Sequence, residues 1–263
     1  MWICWKFCTF EGDILKISYN NQGFNSSLLK GLGVIKNKKG FKVTNLDTYE
    51  EKYRNGYGIK YPEGHIIRIM KNILPELIQK MPIEGNFLDF GCGNGVHSKF
   101  FADEGFSVFG VDISKRAIEL AKNNNKEYQE NFFTIKDNKF DNKFDNKFDV
   151  ILANQSLYYL SNEELQLVLK QFNDLLNDDG IVIFTMMSMK NCSYNYIDEH
   201  LDNGLSKVIL SGRLNETTYI NFTKDIEDLK NKFSIFSHLF SGIYDMTLIE
   251  GSSEHMYYIG KKQ

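Results

Sequence analysis

Long apolar runs are missing from this 263-residue chain. None approaches the roughly 20 residues that span a bilayer, so no membrane partner is expected. Excess positive charge is missing too: 31 Lys and Arg against 34 Asp and Glu leave a formal charge of −3. That balance gives no general electrostatic pull toward nucleic acid or an anionic surface. Arginine is scarce, since 27 of the 31 basic residues are lysine; with abundant Asn, Ile and Phe this is the bias of an AT-rich genome and carries no mechanism. Cysteine is limited to Cys4, Cys8, Cys92 and Cys192. Cys4 and Cys8 lack the third close cysteine of an iron–sulfur site, so reduced, partly buried thiols are expected. The five histidines, His65, His97, His200, His238 and His255, include no pair at metal-ligand spacing, and no metal is expected. Met1-Trp2-Ile3-Cys4-Trp5-Lys6-Phe7-Cys8 is apolar but short, with neither a basic leader nor a small-residue cleavage site. It is not read as a signal peptide, and a cytoplasmic location is expected.

What the chain does have is Phe87-Leu88-Asp89-Phe90-Gly91-Cys92-Gly93-Asn94-Gly95, followed seventeen residues later by Asp112 at the end of Val108-Phe109-Gly110-Val111. An apolar run breaks into alternate glycines, a helix-like stretch follows, and a second apolar run ends in an acid. Glycines at such a break let the backbone turn sharply and approach a ligand closely. An acid at the next strand end is placed to accept hydrogen bonds from a ribose diol. Together they point to a nucleoside-bearing cofactor. It is not read as a dinucleotide, because Val96 stands where the third fingerprint glycine belongs. Nor is it a P-loop, because no Lys-Ser or Lys-Thr pair follows.

In this order the residues resemble motif I of the class I S-adenosylmethionine-dependent methyltransferases: Asp89, Gly91, Gly93, Gly95 and Asp112 match the family pattern. Gly91 through Ala121, with His97-Ser98 and Gly110-Val111-Asp112-Ile113-Ser114, is similar to the small-molecule branch. The resemblance covers about residues 50 to 263. It implies an α/β fold, a Rossmann-like doubly wound, mostly parallel seven-stranded sheet with an antiparallel C-terminal hairpin. It also implies S-adenosylmethionine as cofactor, with S-adenosylhomocysteine as product.

Alternation of strands and helices from residue 86 onward supports a parallel sheet covered by helices. Strands are expected at 86–90, 106–111, near 131–136, at 148–153 and at 181–185. Ser114 is a candidate N-cap, and Ser161-x-x-Glu164 has the pattern of a capping box. Upstream, Tyr61-Pro62 opens a helical stretch with Ile66, Ile69, Met70, Ile73 and Leu74 on one face, which Pro75 ends or kinks. Residues 1–48 alternate apolar and polar and read as a β-rich N-terminal extension. Residues 49–263 read as the methyltransferase domain, with a substrate-capping insertion of little periodicity at about 188–222. A helix around 225–232, a strand around 233–240 and a final hairpin complete the reading. Asp137-Asn138-Lys139-Phe140 recurs in tandem through Phe148, and its second and third copies are read as a solvated loop.

Methyl transfer is an in-line displacement from an activated donor, so the protein must mainly align donor and acceptor and exclude water. A hydroxyl acceptor adds the need for a general base. The carboxyl ends of the strands, at the switch in strand order, gather Asp89, Gly91, Cys92, Gly93, Asp112, Ile113, Asp137 and Asn138 around one cofactor pocket. In the family an acid at the position of Asp137 contacts the adenine amino group; the repeats leave Asp141 and Asp145 as alternatives. Asn154 and Gln155 lie where methyl and acceptor meet in the family, Asn154 toward the cofactor and Gln155 toward the substrate. The Asp/Asn-Pro-Pro-Tyr/Phe motif of nucleic-acid amino-methyltransferases is absent there, so no nucleic-acid partner is expected. Tyr53-Arg54-Asn55-Gly56-Tyr57-Gly58 and Tyr61-Pro62-Glu63-Gly64-His65 resemble a segment that folds over the cofactor as a lid in bacterial small-molecule methyltransferases, some of which decorate surface carbohydrates. Tyr57 and Tyr61 are therefore substrate-side candidates, as is Arg213 for a carboxylate or phosphate. Candidate catalytic residues are His65, Tyr158 and His200; His97 reads as structural. The expected activity is methylation of a small polar acceptor, most readily a hydroxyl, in bacterial surface-carbohydrate or precursor metabolism. Carbon or nitrogen methylation of another metabolite, and a non-catalytic cofactor-binding role, stay open, as does the oligomeric state.

Overall fold

The computed structural model describes residues 36–37, 40–41, 45–77, 85–211, 216–245, 247 and 251–263. Of the segment expected to be β-rich it describes an antiparallel pair, β1 (Lys36–Asn37) with β2 (Gly40–Phe41). Most of that extension lies outside the described residues, and its last three already belong to a helix, α1 (Leu46–Arg54).

The next helical stretch opens at Gly64 rather than at Tyr61-Pro62. It runs as α2 (Gly64–Arg68), a π turn (Ile69–Ile73) and α3 (Leu74–Leu77). Pro75 widens this helix instead of ending it. The N–H of Leu74 reaches back five residues to the carbonyl of Ile69, a loose turn that accommodates a ring which would press on the carbonyl four residues earlier. Ile66, Ile69, Met70 and Leu74 form its buried face.

The alternating segment follows as β3 (Asn86–Phe90), α4 (Val96–Asp103), β4 (Ser107–Asp112), α5 (Lys115–Asn124), β5 (Phe132–Thr134), β6 (Phe148–Ala153), α6 (Asn162–Leu175) and β7 (Leu176–Met187). Ser114 caps α5 by accepting the N–H of Ala117 at 3.0 Å, and Ser161 with Glu164 forms the reciprocal capping box that starts α6.

Residues 188–222, expected to be irregular, hold a separate antiparallel sheet of β8 (Ile197–His200), β9 (Ser206–Leu210) and β10 (Glu216–Ile220). Its inward positions include Ser206 and Thr218 beside Val208 and Ile220. Hydroxyl residues on the buried face hide the apolar alternation that identifies a strand. The chain ends with α7 (Ile226–Lys232), β11 (Phe236–Tyr244) and β12 (His255–Lys262).

The main sheet has the order β11-β12-β7-β6-β3-β4-β5. β3 to β7 are parallel to their neighbours among themselves, and β12 is antiparallel to β7 and β11. This is the fold class the sequence implies, hairpin included. Both faces are covered: Val182, Phe184 and Met186 of β7 join one apolar cluster with Phe172, and Ile181 and Ile183 join the other with Phe87 and Phe101. Strand order reverses between β3 and β6, which opens a crevice at their carboxyl ends.

The tandem repeat is less solvated than expected. Phe140 and Phe148 are fully buried, and Phe144 packs edge-on against Phe109, Phe133 and Phe148. The four-residue period returns each ring to the same apolar wall while Asn142, Lys143, Asp145 and Asn146 stay exposed.

Candidate active site

The turn after β3 needs its glycines. Gly91, Gly93 and Gly95 all have left-handed φ, at 74°, 54° and 74°. A Cβ on Gly91 would lie 2.5 Å from Cβ of Ser156, and one on Gly93 would lie 2.5 Å from the hydroxyl of Tyr53. The turn is tied to β4: the amides of Gly91 and Cys92 both donate to the Val111 carbonyl, at 2.8 and 3.1 Å. Asp112 accepts the Gly93 amide at 2.9 Å on one oxygen and the Ser114 amide at 2.9 Å on the other. Both carboxylate oxygens of Asp112 are thus held in place by backbone amides. Burial raises the Asp112 carboxyl to about 6, against the pull of those amides. Asp89 sits beneath the turn, accepts the Ser98 hydroxyl at 2.7 Å and is raised to about 7 by burial. It braces the turn against α4. Cys92 is buried against Gly110, and burial pushes its thiol up. Ile113 packs at the edge of the main apolar cluster.

Beyond β5, Asp137 and Asn138 both have φ of 56°, and the Lys139 amide closes back on the Lys136 carbonyl at 3.2 Å. Two consecutive positive φ values make a type I′ turn, for which Asp and Asn are suited. Gln171 of α6 clamps it, donating to the Asn138 carbonyl at 2.9 Å and accepting the Phe140 amide at 3.0 Å.

The segment before α2 crosses the glycine turn. Asn94 donates to the Ile59 carbonyl at 2.7 Å, and the Glu63 amide donates to His97 Nε2 at 3.3 Å. His97 therefore accepts as a neutral imidazole, and burial lowers it to about 4; the 3.8 Å approach of Glu63 Oε2 is not an ion pair at neutral pH. Tyr57 packs edge-on against Tyr49 and Tyr53, and the Tyr49 hydroxyl meets that of Tyr159 at 2.5 Å. Lys52 of α1 reaches Glu216 of β10 at 2.8 Å, which joins this aromatic cover to the small sheet.

Glu63 organises the residues that follow β6. Asn154 Nδ2 donates to Glu63 Oε2 at 2.6 Å, and Gln155 Nε2 donates to Oε1 at 2.9 Å. The Asn154 amide is thereby oriented, with Oδ1 facing His65 Nε2 at 3.0 Å and accepting Thr185 Oγ1 at 3.3 Å. An amide oxygen only accepts, so His65 carries its proton on Nε2 and Nδ1 is bare. Nδ1 is buried and makes no hydrogen bond among the described residues. Burial lowers the His65 pKa, opposed by Glu63 and the Asn154 bond. The imidazole ring stacks on Tyr244 at 3.8 Å.

Of the sequence-predicted residues, the structure thus gathers His65, Asn154 and Gln155 around one carboxylate, close to the turn that holds Gly91. Tyr158 is 3% exposed, packed between Tyr159 and His255. Two others lie apart from this cluster. Tyr61 is 80% exposed, and His200 is exposed on β8, bonded to Ser206 across the strand pair at 2.9 Å. Arg213 lies outside the described residues. Glu63, Thr185, Tyr244 and His255 were not singled out by sequence; Glu63 had a signal in its place beside His65, and the others had none. Among the described residues no group of His, Cys, Asp or Glu is arranged to hold a metal ion, and no helix is long and apolar enough to cross a membrane.

A mostly parallel sheet with a glycine turn at its switch point and a buried acid on the next strand defines a protein that binds a nucleoside cofactor at its strand ends. The chain belongs to the methyltransferase-domain family, whose model matches residues 63–229 and whose methyl donor is S-adenosylmethionine. It is 30% identical over 130 residues to an uncharacterized methyltransferase of Oceanobacillus iheyensis, which covers 48% of this chain and 58% of that protein. The chain thus spans little more than half the length of that relative. In fold it is similar to a SAM-dependent methyltransferase of Methanosarcina mazei, with a TM-score of 0.57 at 17% identity over 72% of this chain and 97% of the other. It is likewise similar to the N-methyltransferase NodS of Bradyrhizobium japonicum in complex with S-adenosyl-L-homocysteine, with a TM-score of 0.57 at 13% identity over 83% and 98%.

Proposed function

We propose that this chain transfers the methyl group of S-adenosylmethionine to a hydroxyl of a small polar acceptor, in bacterial surface-carbohydrate or precursor metabolism. The observation that carries the hydroxyl chemistry is the bare, buried Nδ1 of His65, held in that tautomer by Asn154 and Glu63. A hydroxyl must lose its proton as it is methylated, and a neutral imidazole of lowered pKa is a base ready to receive it. The carbohydrate context rests on the likeness of the Tyr61-Pro62 segment in sequence to enzymes that decorate such molecules, an argument by resemblance.

The residues present fit the cofactor. Asp112 would take the ribose diol beside the backbone amides it already accepts, Gly91 and Gly93 hold the left-handed φ that the turn under the nucleoside needs, and Cys92 and Ile113 adjoin them in the chain. Asp137 and Asn138 would meet the adenine, and Asn154 would face the methyl group. When bound, S-adenosylmethionine supplies an electrophilic methyl on sulfur. Tyr53 and Tyr57 cover the turn and exclude water, Gln155 and Asn154 orient the acceptor side, and His65 Nδ1 takes the hydroxyl proton.

Calorimetric titration with S-adenosylhomocysteine and with NAD tests the cofactor: binding of the first alone is expected, and binding of NAD instead would sink the assignment. Formation of S-adenosylhomocysteine with hydroxylated acceptors tests the reaction. Turnover on amines or carbon acids alone would overturn the hydroxyl reading, and cofactor binding without turnover on any acceptor class would leave a non-catalytic binding protein.

A further inference from the structure

Tyr244 ends β11 and His255 begins β12, and the two are paired in register. Their rings are near parallel, 9° apart with centroids 5.3 Å apart. His65 lies against the same tyrosine, with an interplanar angle of 14° and a centroid distance of 3.8 Å. Two histidines from opposite ends of the chain are thus set on one tyrosine, next to Gln155 and Thr185, which the Tyr244 hydroxyl faces.

The proton positions on both imidazoles follow from their partners. His255 Nδ1 lies 2.7 Å from the Ser253 carbonyl; a carbonyl only accepts, so the proton is on Nδ1 and Nε2 is bare. His65 has the opposite tautomer, with the proton on Nε2 and Nδ1 bare. Among the described residues both bare nitrogens are buried without a hydrogen-bond partner, and His255 is 4% exposed. Burial keeps both rings neutral, His255 lowered to about 4. Buried acceptors without a donor are rare because they lose their hydration with no return. Among the described residues, one proton of each amide of Asn154 and Gln155 goes to Glu63 and the hydroxyl of Thr185 goes to Asn154, while the Tyr244 hydroxyl between the two rings is itself buried without a hydrogen-bond partner.

We propose that the His65–Tyr244–His255 stack is the acceptor subsite and that it selects a neutral molecule carrying at least two hydroxyl groups, a polyol or a diphenol. This rests on the methyltransferase reading above. His65 Nδ1 receives the proton of the reacting hydroxyl, and His255 Nε2 accepts a hydrogen bond from the second, which makes His255 a specificity residue. As the oxygen–methyl bond forms, the methyl–sulfur bond breaks with its electron pair left on sulfur, and the hydroxyl proton ends on His65. Two acceptor nitrogens beside the Glu63 carboxylate disfavour an anionic group, so a phosphate or carboxylate of the acceptor lies outside this subsite.

The test is the two-bond proton–nitrogen NMR spectrum of protein labelled with 15N-histidine and saturated with S-adenosylhomocysteine. At pH 7, His65 is expected as the neutral Nε2–H tautomer and His255 as the neutral Nδ1–H tautomer. Glycerol, catechol and methyl glucopyranoside are then added in turn, with the permethylated glucoside as a donor-free control. At least one hydroxylated probe is expected to shift both bare-nitrogen resonances upfield, with no shift from the control. In His255→Gln the His65 shift should persist and the probe should bind several-fold more weakly. A charged ring or the opposite tautomer at either histidine overturns the proposal, as does a shift by the control or by none of the probes. Failure to bind S-adenosylhomocysteine would instead be a failure of the methyltransferase reading, and it is read separately by calorimetry.

Discussion

The carboxylate of Glu63 takes the amide of Asn154 at 2.6 Å, and this bond decides which nitrogen of His65 carries the proton. If the amide turned over, its NH2 would face His65 and the imidazole would have to bare Nε2 instead, moving the free base to the wrong edge of the ring. Glu63→Gln removes the charge that orients the amide. Methyl transfer is expected to fall by about 100-fold, the low end of what a positioned general base contributes. Cofactor affinity should change less than kcat, because Glu63 reaches the cofactor side only through Asn154. Steady-state kinetics with calorimetry on the same samples checks both, and an unchanged kcat would remove Glu63 from the mechanism.

Asp112→Ala deletes the acceptor of the Gly93 and Ser114 amides together with the proposed ribose contact. Hydrogen bonds to a charged group are worth about 1.5–3 kcal/mol each, so S-adenosylhomocysteine should bind at least about 100-fold more weakly. Equal affinity of the variant, measured by calorimetry, would place the ribose elsewhere.

The Asp137–Asn138 turn separates the three repeat copies. Its conformation and its clamp by Gln171 are particular to the first copy, so Asp137→Ala is expected to weaken cofactor binding several-fold while Asp141→Ala and Asp145→Ala leave it unchanged. Gln171→Leu should also weaken it, and should cost about 1–3 kcal/mol of stability because the buried Phe140 amide loses its acceptor. Equal losses from all three aspartate variants would show that the copies are interchangeable.

How far the sequence reaches is visible in these residues. Asp89, the glycines and Asp112 lie on one strand–turn–helix–strand unit, where local spacing fixes geometry, and the Ser161–Glu164 capping box is equally local. Val182, Phe184 and Met186 alternate with Ile181 and Ile183 because each face of the sheet meets its own helix layer. The cluster around Glu63 is different. Glu63, Asn154, Thr185, Tyr244 and His255 come from five separate stretches of the chain, and no period or motif links them before the sheet closes. Tyr61 shares a segment with Glu63 and His65 yet stays in solvent, since the chain bends into α2 only at Gly64. The small sheet is hidden for another reason: its buried face is half hydroxyl.

Stability should respond to pH through two opposed sets of buried groups. His97 and His255 are lowered to about 4 from an ordinary 6.5, so the unfolded chain takes up their protons first and stability falls as pH drops from 6.5 toward 4. Asp89 and Asp112 are raised to about 7 and about 6 from 3.8. The folded chain holds those protons more tightly, and stability falls as pH rises from 3.8 to 7. The shifts are of similar size and opposite sign, so the native protein is expected to show a nearly flat stability between pH 4 and 6.5. Asp89→Asn keeps an acceptor for the Ser98 hydroxyl and removes the larger acid shift, leaving the histidines in control. Urea unfolding of this variant should then show stability rising with pH across that window. A variant curve as flat as the native one would mean that Asp89 is ionised at its ordinary pKa in the folded protein.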